Sequence, residues 1–153
     1  MNSRSKSSCP GGALEESIFV AILKAADFLS QQAEHVIKSA GLTSTQYNVL
    51  RILRGAEPDG LPCRAIGDRM ISHDPDMTRM LDRMERRGWI TRNRETQDRR
   101  VVKTRITDDG LKLLKKLDQP VRETHKKQFQ HMNFARLKAL GELLEELARR
   151  ESA

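Results

Sequence analysis

Apolar residues recur at intervals of three and four along most of the chain, which is the period of an amphipathic helix. The spacing predicts a first long helix over about residues 14–39, ended by Gly41. A second helix begins after Thr43, which forms a capping-box pattern with Gln46 three residues later. The N-terminal part of the chain is therefore expected to be helical.

Two shorter helical segments follow a polar loop. The first covers about residues 63–70. The second is predicted to have Asp74 as its N-cap and Pro75 as its first residue, a position that favours proline. It ends at Gly88, so the pair has the form of two short helices joined by a tight turn.

From Trp89 the apolar period changes from helical to two. The alternation predicts two antiparallel strands, over about residues 89–94 and 99–107, joined by a polar turn. Three apolar residues of this hairpin are expected to face inward: Ile90, Val102 and Ile106. The cationic residues of the hairpin are then left for solvent or a ligand.

The C-terminal third returns to helical spacing. Thr107 is the expected N-cap of a further long helix, and Asn133 that of a last helix with a wide leucine face. Pro120 lies inside the first of these two helices. Because proline lacks a backbone N–H and collides with the preceding turn, a kink or break is expected there.

The 153 residues suit a single domain over residues 13–153, preceded by a disordered tail over 1–12 that is rich in Ser, Gly and Pro.

The charge of the chain is concentrated in one segment. The net charge is +7. Residues 79–105 contain ten Lys or Arg against four acids, a net charge of +6, so nearly all the excess lies there. A basic patch of this kind favours a polyanionic partner.

The order of these elements is that of a mainly α winged helix-turn-helix with a two-stranded β wing. A helix fits the major groove of duplex DNA, and an adjacent arginine-rich hairpin reaches phosphates or the minor groove. The sequence therefore predicts double-stranded DNA as the partner.

An ordered set of short motifs occupies residues 42–110. They are Thr78-Arg79, Leu81-Asp82-Arg83-Met84, Gly88, Asp98-Arg99-Arg100 and Ile106-Thr107-Asp108-Asp109-Gly110. In order and spacing this set resembles the core of the MarR family of bacterial transcriptional regulators. None of the motifs is specific alone, but the ordered set is.

The resemblance implies a homodimeric transcriptional regulator, usually a repressor. N- and C-terminal dimerisation helices, here about 14–39 and 108–151, would interlock with those of the partner around a core over about 42–110. Two-fold symmetry would favour a pseudo-palindromic operator. Many family members respond to a small anionic or phenolic effector bound between the dimer helices and the DNA-binding lobe.

Two arginines are the strongest candidates for DNA contacts. Arg79 lies near the start of the predicted recognition helix, the part that meets base edges. Arg100 follows Asp98 by two residues, so a carboxylate–guanidinium pair would hold the arginine in one rotamer before it enters a groove. The alternative for each is a solvated side chain, or a surface ion pair contributing about 0–1 kcal/mol. The full predicted DNA-binding set is Arg64, Ser72, His73, Asp76, Met77, Thr78, Arg79, Arg83, Arg94, Asp98, Arg99, Arg100 and Lys103, with Arg105 as a further phosphate contact.

An effector pocket is predicted from the aromatic residues of the first two helices. Its expected lining includes Phe19, Phe28, Tyr47 and Leu50, with core packing as the alternative. Trp89 is expected to pack the hairpin on the helices. With few aromatic residues in the chain, a stacking platform for single strands is not expected.

The two cysteines leave a redox alternative open. Cys63 begins a short helix, whose N-terminus lowers a thiol pKa, although a small buried side chain is the simpler expectation. Cys9 lies in the predicted tail. A second alternative is a helical protein-interaction module that does not bind DNA, with the leucine-rich last helix as its working surface.

Catalysis, metals and cofactors are not expected. The four histidines have no metal or triad spacing, and no glycine-rich phosphate loop is present. No apolar run is long enough to span a bilayer, so the expected location is the bacterial cytoplasm, in a nucleoid-associated pool.

Overall fold

The computed structural model describes residues 11–95 and 100–149, which form six helices and a three-stranded sheet. The elements are α1 (Gly11–Ser39), α2 (Ser44–Arg54), β1 (Leu61–Pro62), α3 (Cys63–Arg69), α4 (Met77–Arg86), β2 (Ile90–Arg94), β3 (Val102–Ile106), α5 (Asp108–Phe129) and α6 (Phe134–Ala148). The winged helix-turn-helix prediction is confirmed. The predicted tail lies mostly outside the described residues, and α1 begins at Gly11, inside the segment assigned to the tail.

Three predicted helix starts are confirmed by their caps. Thr43 and Gln46 form a reciprocal capping box, with hydrogen bonds of 3.1 and 3.0 Å. The Thr107 hydroxyl accepts from the Gly110 N–H at 3.1 Å, and the Asn133 side chain accepts from the Arg136 N–H at 2.9 Å. Such caps satisfy donors that the first helical turn leaves without partners.

The predicted start of α4 is wrong. The helix begins at Met77, not at Pro75. The Asp74 carboxylate accepts from the Asp76 N–H at 2.8 Å, so it closes a local turn ahead of the helix instead of capping it. An aspartate side chain satisfies either arrangement, which is why the sequence pattern did not separate them.

The sheet has one more strand than the predicted hairpin. The strand order is β1-β3-β2, all antiparallel, with Leu61 opposite Thr104 and Ile90 opposite Ile106. A side chain at Gly60 would overlap Thr104, so glycine permits the close approach of β1. The sheet thereby joins the wing to the loop that precedes α3.

The hairpin buries two of its three predicted inward residues. Ile90 and Ile106 are buried next to the helices, but Val102 is exposed. Val102 pairs with Arg94 at the far end of the ladder, where the hairpin projects beyond the core. Its predicted burial is therefore wrong.

One continuous core joins the helix-turn-helix to the wing and to α5. Its fully buried residues include Val49, Leu50, Ile66, Met84 and Leu114. This shared core fixes the direction of α4 relative to both the wing and α5.

The helices at the two ends of the chain leave apolar surface uncovered. α1 packs along α5. A kink or a break was predicted at Pro120, and α5 shows no break because it runs as one helix from Asp108 to Phe129. α6 buries no residue. The exposed large apolar residues of α1 and α6 are Leu14, Ile18, Phe19, Val20, Leu23, Phe28, Phe134, Leu137, Leu143, Leu144 and Leu147. Within the described ranges, no helix is both long and apolar enough to cross a membrane.

Candidate nucleic-acid interface and effector cavity

Helix α4 presents a polar face outside the core. Met80, Leu81 and Met84 are buried, while Thr78 and Arg79 are exposed near its N-terminus. The Arg79 side chain is 80% exposed, and its Nε lies 3.7 Å from Asp76. The predicted recognition residues are thus placed where a duplex could reach them.

The basic face of α4 extends further than the sequence prediction. Four exposed arginines lie three or four residues apart along α4 and its C-cap: Arg79, Arg83, then Arg86 and Arg87. The last two were missed, although the same helical spacing would have found them. Arg83, Arg86 and Arg87 line a shallow groove with Gln46 of α2, and the Arg87 guanidinium lies 5.3 Å from the centre of the Trp89 ring.

Arg92 joins the wing to α4 and does not face outward. Glu85 accepts from the Arg92 backbone N–H and Nε, both at 3.0 Å, and from Nη2 at 2.8 Å. Nη2 also donates to Asp82. Burial lowers the pKa of Arg92, but the hydrogen bonds to Glu85 and Asp82 raise it by more. This three-residue clamp fixes the wing on the helix through charge-assisted hydrogen bonds.

The opposite face of the wing carries a second ion-pair cluster. Glu95 lies 2.9 Å from Arg105 Nη2 and 3.8 Å from Lys103 Nζ, and all three side chains are half-buried. Lys103 and Arg105 are therefore engaged within the protein. The two acids within α4, Asp82 and Glu85, are paired with Arg92, which leaves the exposed face of α4 cationic.

The wing tip is only partly described. Arg94 and Arg100 are exposed. Asp98 and Arg99 lie outside the described residues, so the predicted pairing of Asp98 with Arg100 does as well.

The remaining predicted contacts lie around α3 and its turn. Arg64 is exposed in the first turn of α3, Ser72 and His73 are exposed in the turn between α3 and α4, and Met77 is partly buried against the core.

Cys63 is exposed, so the expectation of a buried thiol is wrong, because α3 points its first residue away from the core. Cys9 lies outside the described residues.

A cavity of about 390 Å³ lies between the helix-turn-helix and the long helices α1 and α5. Its walls come from α1 near Ile37, from α2, from the turn at residues 70–72, and from α5. The Ile71 N–H donates to the Asn48 side chain at 3.0 Å, so a cavity residue holds the turn that leads into α4. Burial raises the pKa of the Tyr47 hydroxyl, and nearby Arg51 partly opposes this. Tyr47 therefore lines the cavity as a neutral phenol.

The other predicted pocket residues lie elsewhere. Leu50 is 0% exposed in the core, so its assignment to the pocket is wrong. Phe19 and Phe28 are 61% and 57% exposed on α1, ahead of the α1 residues that line the cavity. Helical periodicity identified their face of α1 but not which stretch of it meets α2.

A second cavity, of about 590 Å³, lies on the α6 side of α2 and α5. It shares four wall residues with the first: Tyr47, Arg51, Val121 and His125. Arg54 and Asp118 line it and form a bidentate pair, with N···O distances of 2.9 to 3.1 Å. This pair ties α2 to α5.

Comparison with known proteins identifies the family. Residues 42–102 match the model of the MarR family. The crystal structure of a MarR transcription factor from Planctomyces limnophilus is 37% identical, covering 85% of this chain and 94% of that one, with a TM-score of 0.66. The chain belongs to the MarR family.

Two other solved structures of similar chains contain ligands. The transcriptional repressor CouR, bound to a 23-mer DNA duplex, is 28% identical over 94% of this chain and all of that one, with a TM-score of 0.78. NadR in complex with 4-hydroxyphenylacetate is 25% identical over 99% of this chain and all of that one, with a TM-score of 0.70.

Proposed function

We propose that this member of the MarR family is a homodimeric repressor that binds operator DNA through α4 and the wing. The carrying observation is the row of exposed arginines on α4, on a helix fixed by the core and by the Arg92 clamp. Guanidinium groups bind phosphate and pair with guanine in the major groove. The similarity to CouR, itself bound to DNA, supports this function. MarR-family proteins are transcription regulators and not enzymes, and such a repressor would act in the bacterial cytoplasm.

The uncovered apolar faces of α1 and α6 support the homodimer. Phe134, Leu143 and Leu147 are 82%, 64% and 67% exposed in the single chain, and burying such side chains against a second copy is favourable. A two-fold dimer presents two copies of α4. The operator is then a pseudo-palindrome whose half-sites lie about one helical turn apart.

The cavity between the two parts of the fold supports control by a small aromatic or anionic effector. It touches both the long helices and the turn before α4, so an occupant that prefers one arrangement of these parts shifts the position of α4. NadR, a similar protein, is solved with an aromatic acid. The effector is proposed to weaken DNA binding and thereby release repression.

Footprinting tests this proposal. The DNA upstream of the protein's own gene is the first probe, because autoregulation needs no knowledge of other targets. Two protected half-sites about one turn apart, together with reduced transcription from that promoter in a purified system, are expected. Uniform, sequence-independent protection with unchanged transcription would contradict a repressor. No protection at all, with unchanged transcription, would instead favour the helical interaction module.

A further inference from the structure

His125 on α5 lies in the wall shared by the two cavities, and a hydrogen-bonded chain fixes its ring. The Gln128 Nε2 donates to the backbone carbonyl of Leu29 on α1 at 2.9 Å. The Gln128 Oε1 lies 3.0 Å from the His125 Nδ1. Gln128 is 6% exposed, so its amide is largely sheltered from solvent, whereas the His125 residue it contacts is exposed.

The hydrogen bonds that join Leu29, Gln128 and His125 allow only one assignment of donors and acceptors. A backbone carbonyl can only accept, so the amide nitrogen of Gln128 must face Leu29 and its oxygen must face His125. That oxygen also only accepts, so the His125 Nδ1 carries the hydrogen. In the neutral imidazole Nε2 is then an acceptor, and it is the ring nitrogen left for a ligand.

Arg51 supplies a cation in the same shared wall. Within residues 11–95 and 100–149 it forms no ion pair with a carboxylate, and its guanidinium lies 5.9 Å from the centre of the Tyr47 ring. Ile37, Met70 and Val121 add apolar surface to the α1 side. The wall thus combines a cation, an acceptor and an apolar lining, which suits an aromatic acid that also carries a hydroxyl.

We propose that His125 is the specificity-determining residue of this cavity, and that its Nε2 accepts a hydrogen bond from the hydroxyl of a hydroxylated aromatic acid whose carboxylate pairs with Arg51. Gln128 acts as a positioning residue that sets the tautomer. This inference rests on the effector response in the proposed function and names what the cavity selects. An acid without the hydroxyl leaves the acceptor unpaired, so it binds more weakly.

Calorimetric titration with matched acids tests this selection. The probes are phenylacetate, 3-hydroxyphenylacetate and 4-hydroxyphenylacetate, each titrated into the full chain. The wild type is expected to bind at least one hydroxylated acid about 10-fold or more tightly than phenylacetate. His125→Phe keeps an aromatic ring but removes the acceptor, so it should abolish that preference and leave phenylacetate affinity unchanged. His131→Phe, the same change at a histidine that lines neither cavity, should alter neither.

Two further variants separate the roles. Arg51→Met should weaken all three acids by a similar factor, because it removes the carboxylate partner. Gln128→Met should reduce the preference for the hydroxyl while the phenylacetate affinity stays within about 2-fold, a result that simple loss of packing would not give. Thermal melting checks that each variant folds.

Three results would overturn the inference: no binding of any acid at 10 mM, equal binding of all three by the wild type, or an equal loss for all three in His125→Phe. Anisotropy with the upstream DNA duplex is measured in parallel without acid. Intact DNA binding with any of these results would refute the His125 inference alone, whereas loss of DNA binding would count against the proposed repressor.

Discussion

The guanidinium of Arg92 and the carboxylate of Glu85 connect the wing directly to α4. Glu85 accepts from both the side chain and the backbone N–H of Arg92, so it fixes the position of strand β2 as well as the rotamer of the arginine. Asp82 completes the clamp from the previous turn of α4. The wing and α4, the two elements proposed to bind DNA, are thereby held as one rigid surface.

Loss of this clamp should lower both stability and DNA affinity. Arg92→Met removes donors from two partly buried carboxylates, and we expect about 1–3 kcal/mol less free energy of unfolding. A double-mutant cycle with Glu85→Gln, followed by urea denaturation, measures the coupling directly. Arg94→Met, on an exposed position of the same strand, is the control and should change stability by less than about 0.5 kcal/mol. Additive effects in the cycle would show that the clamp contributes no coupling.

Arg86 and Arg87 should contact the DNA backbone, because they lie at the end of α4 away from the residues expected to meet bases. Alanine at either position is expected to weaken binding to all DNA sequences alike. It should also reduce, by about one, the steepness with which the logarithm of the DNA-binding constant falls with the logarithm of the salt concentration. Titrations over a salt series with specific and scrambled duplexes measure this. Lys138→Ala, which removes an exposed cation on α6, is the matched control. A loss confined to the specific duplex would instead assign these arginines to base recognition.

Gly110 should be required where the wing meets α5. A side chain there would overlap the backbone carbonyl of Trp89, which cannot move without shifting the wing. Gly110→Ala is expected to cost about 1–3 kcal/mol of unfolding free energy. Gly141→Ala on α6 meets nothing within 4 Å and should instead stabilise its helix by up to about 1 kcal/mol. Urea denaturation of both variants gives the comparison, and equal effects would contradict the packing argument.

Leu147 should be part of a dimer interface. In a single chain it is exposed, so Leu147→Glu would be nearly neutral there, but in a dimer it would bury a charge. Sedimentation velocity should therefore show a shift toward monomer, with weaker binding to a two-half-site duplex. Lys138→Glu introduces a negative charge on the same helix without removing apolar surface and should leave the association unchanged. A Leu147→Glu protein that sediments as the wild type would exclude α6 from the interface.

Features determined by local interactions could be predicted from the sequence. Thr43, Thr107 and Asn133 cap the helices that follow them because a cap needs only a side chain and the next backbone N–H groups. The alternation of apolar and polar residues after Trp89 identified the hairpin because it, too, depends on residues that are close together in the sequence. The start of α4 was wrong because Asp74 closes a turn with the same kind of hydrogen bond that a cap would use.

Features determined by distant pairing were missed. Strand β1 is only two residues long and exists because it pairs with Thr104 and Lys103, far away in sequence. Charge counting treated Arg92 as one more outward cation, whereas two acids of α4 hold it inside. The cavity residues from α1 and α5 were missed for the same reason, since periodicity gives a face of a helix but not its neighbour.

The central claim is that the arginine face of α4 and the wing together bind specific duplex DNA. Fluorescence anisotropy with the DNA upstream of the protein's own gene, over a salt series, tests it most directly with wild type, Arg83→Ala, Arg100→Ala and Lys138→Ala. We predict tight, sequence-preferring binding that weakens steeply with salt, a loss of about 1–3 kcal/mol for each of the first two variants, and none for the third. Binding of equal strength in all four proteins, or no binding even at low salt, would contradict the claim.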